Sequence, residues 1–330
     1  MTHPIAPAVE QAHADVLNLF RKSTAGDRAG LAALCRAARG RLAALPSLDA
    51  DDPSTWTSYE LITVDVRTLL GFLRELDVPS SEPERFRTLL IDVLRYLYMA
   101  DRSELGEFLA ETVYTDWDTR LGESHTHTIN AAERLAACVH GRGDTERALP
   151  VFARILELRS AKFGDSHPGT LLAACNMGAC LNQLGDFDEA SELNSDTLRR
   201  CERQLGKHHR TTILATDNLA GSLFGRGELK MALTLYREIH QRYRRVSGEN
   251  SLAALDAEAG IAITLHELGD HAAARDINAD LLPRFERVAG KDYKGTQDTR
   301  ARLIRNLRAL GRNHEADEVH GGVPKFLPPP

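Results

Sequence analysis

The chain has 330 residues, 42% hydrophobic and 27% charged, which is enough apolar material for a sizeable core and excludes a largely disordered protein. Its 41 basic and 47 acidic residues leave a net charge of -6, a field too weak to favour nucleic acid or an anionic membrane as partner. No stretch approaches 18 uninterrupted apolar residues, and residues 1–8 lack the basic-then-apolar order of a secretion signal, so a cytoplasmic protein that does not enter the membrane is expected.

Apolar residues at helical spacing predict three helices near the start, over residues 8–21, 28–45 and 57–76, with the acidic stretch 49–53 as the clearest loop between them. Residues 1–79 read as an N-terminal helical region, either a cap that closes a helical array or a small effector domain. In residues 80–121, Val93, Leu94 and Leu97 fall 42 positions before Leu135, Ala136 and Val139, while Leu109, Val113 and Trp117 suit a second helix. This segment reads as a diverged copy of the repeat that begins at residue 122.

From residue 122 the repeat is plain. Gly143, Gly185, Gly227, Gly269 and Gly311 recur every 42 residues, as do Gly122, Gly164, Gly206, Gly248 and Gly290, and as do Ala148, Ala190, Ala232, Ala274 and Ala316. Leu171, Met177, Leu181 and Leu184 keep helical spacing before one glycine, and Leu193, Thr197, Leu198 and Cys201 keep it after. Each copy is therefore two helices. The first glycine series supplies the left-handed residue that ends the first helix, and Asp144, Asp186, Glu228 and Asp270 follow it as starters of the second. One helix pair cannot bury its own apolar stripe, so the copies over 122–320 must stack, with the alanine series at the close crossings. Residues 321–330, ending in Pro328, Pro329 and Pro330, cannot continue a helix and read as an extended tail.

The repeat resembles a known family. The run Asn176-Met177-Gly178-Ala179-Cys180-Leu181-Asn182-Gln183-Leu184-Gly185-Asp186, with Asp217-Asn218-Leu219-Ala220, is similar to tetratricopeptide repeats. The 42-residue period, with Gly164-Asp165-Ser166-His167-Pro168-Gly169-Thr170 opening a copy, is similar to the kinesin-light-chain-like subtype. Leu193-Asn194-Ser195-Asp196 and Ile277-Asn278-Ala279-Asp280 look like the second helices of repeat arrays in bacterial signalling ATPases. The resemblance implies an all-α fold, a right-handed α-solenoid superhelix of stacked antiparallel helix pairs. Later copies depart from the pattern: Asn176 and Asn218 give way to Gly260 and Arg302, and the fourth copy opens without His-Pro.

Little in the sequence suggests chemistry. His266-Glu267-Leu268-Gly269-Asp270-His271 has its histidines five apart across a predicted turn, where a zinc helix needs them four apart on one face. His125, His167 and His209 share one position at the entry to three first helices, where a ring nitrogen can bond free backbone groups. Cys35, Cys138, Cys175, Cys180 and Cys201 form no Cys-x-x-Cys pair and suit reduced, buried thiols. No phosphate loop, nucleophile elbow or dinucleotide fingerprint occurs, so neither a cofactor nor a metal is expected, and no catalytic residue is assigned.

What remains is the inner face of the first helices. One register there carries Arg134, Asn176, Asn218, Gly260 and Arg302, with Asn130, Gln183, Ser222, Asp256, Glu267, Asp298 and Arg305 about a turn away. Asparagine can donate to and accept from the backbone of an extended peptide. The family resemblance implies that role for Asn176 and Asn218, but an asparagine ladder between adjacent helices fits the same residues. The functional expectation is a non-catalytic adaptor or scaffold that binds a protein or peptide in this groove. A ligand-gated regulator acting through the N-terminal region, and an enzyme whose site is assembled only in three dimensions, are the alternatives.

Overall fold

The computed structural model describes residues 6–21, 27–50 and 52–321. Among them are fifteen α-helices, one short 3-10 turn and no strand. Of the expected tail, residues 321–330, Gly321 closes the last helix and the rest lies outside the described residues. The chain divides into two compact units, Met1–Asp165 and Ser166–Pro330.

The first unit holds α1 (Ala6–Arg21), α2 (Arg28–Ala43), α3 (Trp56–Glu75), α4 (Glu84–Met99), α5 (Ser103–Leu121), α6 (Thr126–Gly141) and α7 (Thr145–Phe163). Helix α2 ends two residues before the expected position because Pro46 disfavours the helical conformation at Leu45. Helices α4 and α5 start and stop 42 residues before α6 and α7, and Asp101, at φ 56°, stands in the left-handed slot that glycine holds in the later copies.

One continuous core runs through this unit, from Val9 of α1 past Leu42, Leu69 and Leu94 to Val113 and Ala131. Helices α1–α3 therefore share a hydrophobic interior with the helix pairs beside them. Polar anchors fix the fit. The Tyr59 hydroxyl donates to the Leu48 carbonyl at 2.9 Å, and its ring stacks on Tyr96 at 5.2 Å between centroids. The fully buried Trp117 donates its indole N–H to Ser80 Oγ at 3.0 Å, and the Ser80 hydroxyl donates to Asp116 at 2.6 Å.

The second unit holds α8 (Pro168–Leu184), α9 (Phe187–Leu205), α10 (Arg210–Gly225), α11 (Leu229–Ser247), α12 (Leu252–Glu267), α13 (His271–Ala289), α14 (Lys294–Ala309) and α15 (Asn313–Gly321). Even-numbered helices are the first members of each pair. The turn glycines Gly185, Gly227, Gly269 and Gly311 all have φ between 73° and 87°, a conformation that costs any residue with a Cβ.

Helix entry is as local as helix exit. His125, His167 and His209 are N-caps, each accepting on Nδ1 a hydrogen bond from the backbone N–H two residues on, at 3.3, 3.1 and 3.1 Å. In the fourth copy Ser251 does the same work through its Oγ, whereas Tyr293 opens the fifth without a side-chain bond. Ala148, Ala190, Ala232, Ala274 and Ala316 are wholly buried. A Cβ on Gly178 would stand 2.0 Å from Asn194 Oδ1, so the glycine makes room for the Asn194 side chain of the next helix.

Candidate functional site

The residues expected in the groove meet several different fates. In the first unit, Asn130 Oδ1 accepts from Arg159 Nη2 at 2.8 Å, and the same nitrogen lies 2.6 Å from Glu133 in a buried ion pair. Arg134 lies 3.4 Å from the other oxygen of Glu133 and is mostly covered, so its charge is already answered within the chain.

In the second unit Asn218 and Ser222 are buried and belong to the interior, which corrects their expected place on the groove surface. Asn218 Nδ2 donates to the Cys175 carbonyl at 2.7 Å, while Asn182 Nδ2 donates back to the Asn218 carbonyl at 2.7 Å. The Ser222 hydroxyl donates to Asn182 Oδ1 at 2.7 Å and accepts from Asn194 Nδ2 at 3.0 Å. These bonds tie α8 to α10, because an amide buried between two helices must find its partners there. Asn176 is half-buried on α8, and Gln183 is exposed two residues before the Gly185 turn.

Asp256, Gly260, Asp298 and Arg302 come together. They line a cavity of about 510 Å³ with Asp217, Tyr236, Tyr243, Tyr293 and Lys294, at the face shared by α10, α12 and α14. Gly260 makes room for it: the Tyr236 ring lies against its backbone, and a Cβ there would stand 2.7 Å from Tyr236 Cδ1. Where α8 and α10 are bridged by amides, this part of the unit instead admits an aromatic ring from a second helix.

The cavity is unevenly charged. Asp298 and Arg302 form a loose pair at 3.8 Å, but among the described residues no ion pair within 4.0 Å reaches Asp217 or Asp256. Asp217 keeps solvent access along the cavity, yet the surrounding protein takes away enough water to push its carboxyl up to about 6, with help from the charge of Asp256. Loss of water also raises Asp256, against the pull of Arg302. Burial likewise lowers the Arg302 guanidinium, which Asp298 and Asp256 partly offset. Two carboxylates raised in this way beside tyrosine rings can attract a cation.

Glu267 and Arg305 pair with each other at 2.7 Å at the edge of a smaller notch of about 100 Å³ between α12 and α14. Ile263 and Arg302 line both the notch and the larger cavity. The motif His266 to His271 closes into a contact across its turn, with Nδ1 atoms 3.2 Å apart and ring centroids 4.5 Å apart. Thr145 and His140 make the same link at the same register in the first unit.

Sequence reasoning missed Asp217 and the three tyrosines. Tyr243 shares its register with Trp117, Arg159, Cys201 and Phe285, and Tyr236 shares one with Phe152, Asn194 and Asn278, so both read as core. Asp217 offered one signal, since it holds the slot that Cys175 and Ala259 hold in neighbouring copies.

Residues 127–203 and 211–287 match the family model for the tetratricopeptide repeat. That stretch of the chain is built of tetratricopeptide repeats, and the fold is an α-solenoid of helix pairs. Solved structures share it. A point variant of the kinesin light chain TPR-like repeats of Podosopora anserina matches at 15% identity and a TM-score of 0.52, over 63% of this chain and 97% of that one. NprR in complex with its cognate peptide NprX matches at 11% identity and a TM-score of 0.55, over 99% and 90%. A signal transduction ATPase with a tetratricopeptide repeat sensor from Pyrococcus horikoshii matches at 12% identity and 0.53, over 95% of this chain and 51% of that one. At such identities the likeness is one of fold. No curated protein sequence matches the chain.

Proposed function

We propose that the protein binds a peptide segment along α10, α12 and α14 and performs no chemistry of its own. The observation that carries this reading is the 510 Å³ cavity with Asp217 and Asp256 under-neutralised between Tyr236, Tyr243 and Tyr293. The guest is a peptide that places a lysine or arginine side chain there, held by the two carboxylates and by the faces of the rings. Arg302 and Lys294 at the same cavity suit a carboxylate or carbonyl further along the guest. The same architecture holds the peptide NprX in NprR, which supports a peptide as the kind of guest. No helix among the described residues is long and apolar enough to cross a membrane. Cys35, Cys138, Cys175, Cys180 and Cys201 are buried free thiols, which supports a cytoplasmic adaptor or regulator.

Residues 1–79 we read as a cap, because α1–α3 are built into the core of the first unit and have no separate interior. Selection of a displayed random dodecapeptide library on the wild-type protein and on an Asp217→Asn/Asp256→Asn variant tests the reading. Peptides rich in lysine or arginine should be enriched on the wild type and lost on the variant. Equal enrichment on both, or none on either, counts against it.

A further inference from the structure

The notch beside the cavity carries its own information. Its lining includes Asn278 of α13 and Asn306 of α14, both about 1% exposed. Neither Nδ2 nor Oδ1 of Asn278 has a hydrogen-bond partner among the described residues, and Asn306 Nδ2 has none either. A buried carboxamide left in this state costs stability, and side chains inside proteins normally avoid it.

The repeat supplies an internal control. Asn194 holds the register position of Asn278 two copies earlier, and Ser222 holds that of Asn306. There the Asn194 Nδ2 donates to Ser222 Oγ at 3.0 Å, which bonds the two helices and leaves only Asn194 Oδ1 without a partner. Between α13 and α14 the same two positions border open space of about 100 Å³, in reach of a few heavy atoms and too small for a passing main chain. Around the opening, Glu267 and Arg305 satisfy each other, and the Asn306 side chain interacts with His266, so the unspent hydrogen-bonding capacity of the notch is that of the two amides.

We infer that the notch is a binding subsite for a carboxamide, the side chain of an asparagine or glutamine in the guest peptide. A primary amide presents an acceptor and two donors, which complement the idle acceptor and donors of Asn278 and the idle donor of Asn306. An apolar side chain of similar size would bury all three without a partner, and a charged one would add an uncompensated charge. The inference rests on the peptide-binding reading above. It adds a second requirement: a cationic residue for the cavity and an amide residue for the notch, at a fixed spacing.

The test repeats the library selection on the wild type and on Asn278→Leu, with Asn306→Ser as a milder second variant that restores the residue found at position 222. Thermal unfolding of all three proteins is measured first. Asn278→Leu removes an idle amide and should unfold no lower than the wild type, whereas an amide with a structural role would make it unfold lower. Wild-type selections should enrich asparagine or glutamine at one spacing from the basic residue. Replacing that amide residue by leucine in a synthetic peptide should weaken binding about tenfold. On either variant the amide preference should vanish while the basic preference stays. Basic enrichment without an amide preference, or an amide preference that survives in both variants, overturns the notch and leaves the peptide reading standing. No enrichment of any peptide overturns both.

Discussion

Arg159 occupies the core position that Trp117, Cys201, Tyr243 and Phe285 hold in the other copies, and it is tolerated there because Glu133 and Asn130 meet its guanidinium. Removing Arg159 takes from the buried Glu133 its shortest ion pair, at 2.6 Å. Arg159→Met should therefore destabilise the first unit by about 3 kcal/mol, and adding Glu133→Leu should recover most of that loss, as read by denaturant unfolding. An equal loss in the single and double variants would mean the pair is not what the arginine answers. Asp217 yields a prediction on pH. Its carboxyl takes up a proton near pH 6, and Asp256, Tyr236 and Tyr243 line the cavity with it. A bound cation favours the ionised form, so binding of a basic peptide should be full above about pH 6 and weaken as pH falls through it. Calorimetric titration across pH 5 to 7.5 checks this, and Asp217→Asn should flatten the profile. The place of these residues was hidden in the sequence because an inward position reads as apolar filling whatever its neighbours later enclose.

At the scale of the helix pair, most of the punctuation was legible, because glycine and histidine cap act on their own few residues and a 42-residue period displays them repeatedly; of the acidic starters, Asp144 and Asp270 accept a backbone N–H while Asp186 and Glu228 make no side-chain bond. Even the diverged copy keeps its turn, with Asp101 forced into the left-handed region. Asp101→Gly should raise stability by about 1 kcal/mol, measurable as a shift in thermal midpoint. The alanine crossings behave in the opposite sense. Ala190→Trp or Ala232→Trp should cost about 3 kcal/mol by overpacking, and an unchanged midpoint would remove the close-crossing account. The groove was only half legible. Asn218 looked like a peptide contact because its register lies on the inner face of the first helices, yet the neighbouring first helix is close enough for Asn218 Nδ2 to donate to the Cys175 carbonyl. Gly260 breaks the same register, and the Tyr236 ring fills the place of the missing side chain. Gly260→Asn should displace that ring, close the cavity and abolish peptide capture while leaving the helical signal intact.

For the whole molecule, helix count, order and pairing followed from periodicity, while the role of the first 79 residues did not. Periodicity marks each helix, but a shared interior appears only when the helices pack, and here one core extends from Val9 to Ala131. A chain starting at residue 80 would bare Tyr96, which Tyr59 and Trp56 now cover, and should lose cooperative unfolding of the first unit. The cationic seat at Asp217 and Asp256 is tested most directly by a crystal structure with the most enriched selected peptide. A lysine or arginine nitrogen within 4 Å of both carboxylates, with the peptide running along α10, α12 and α14, is the predicted result. A peptide bound elsewhere with that cavity unfilled would contradict the account.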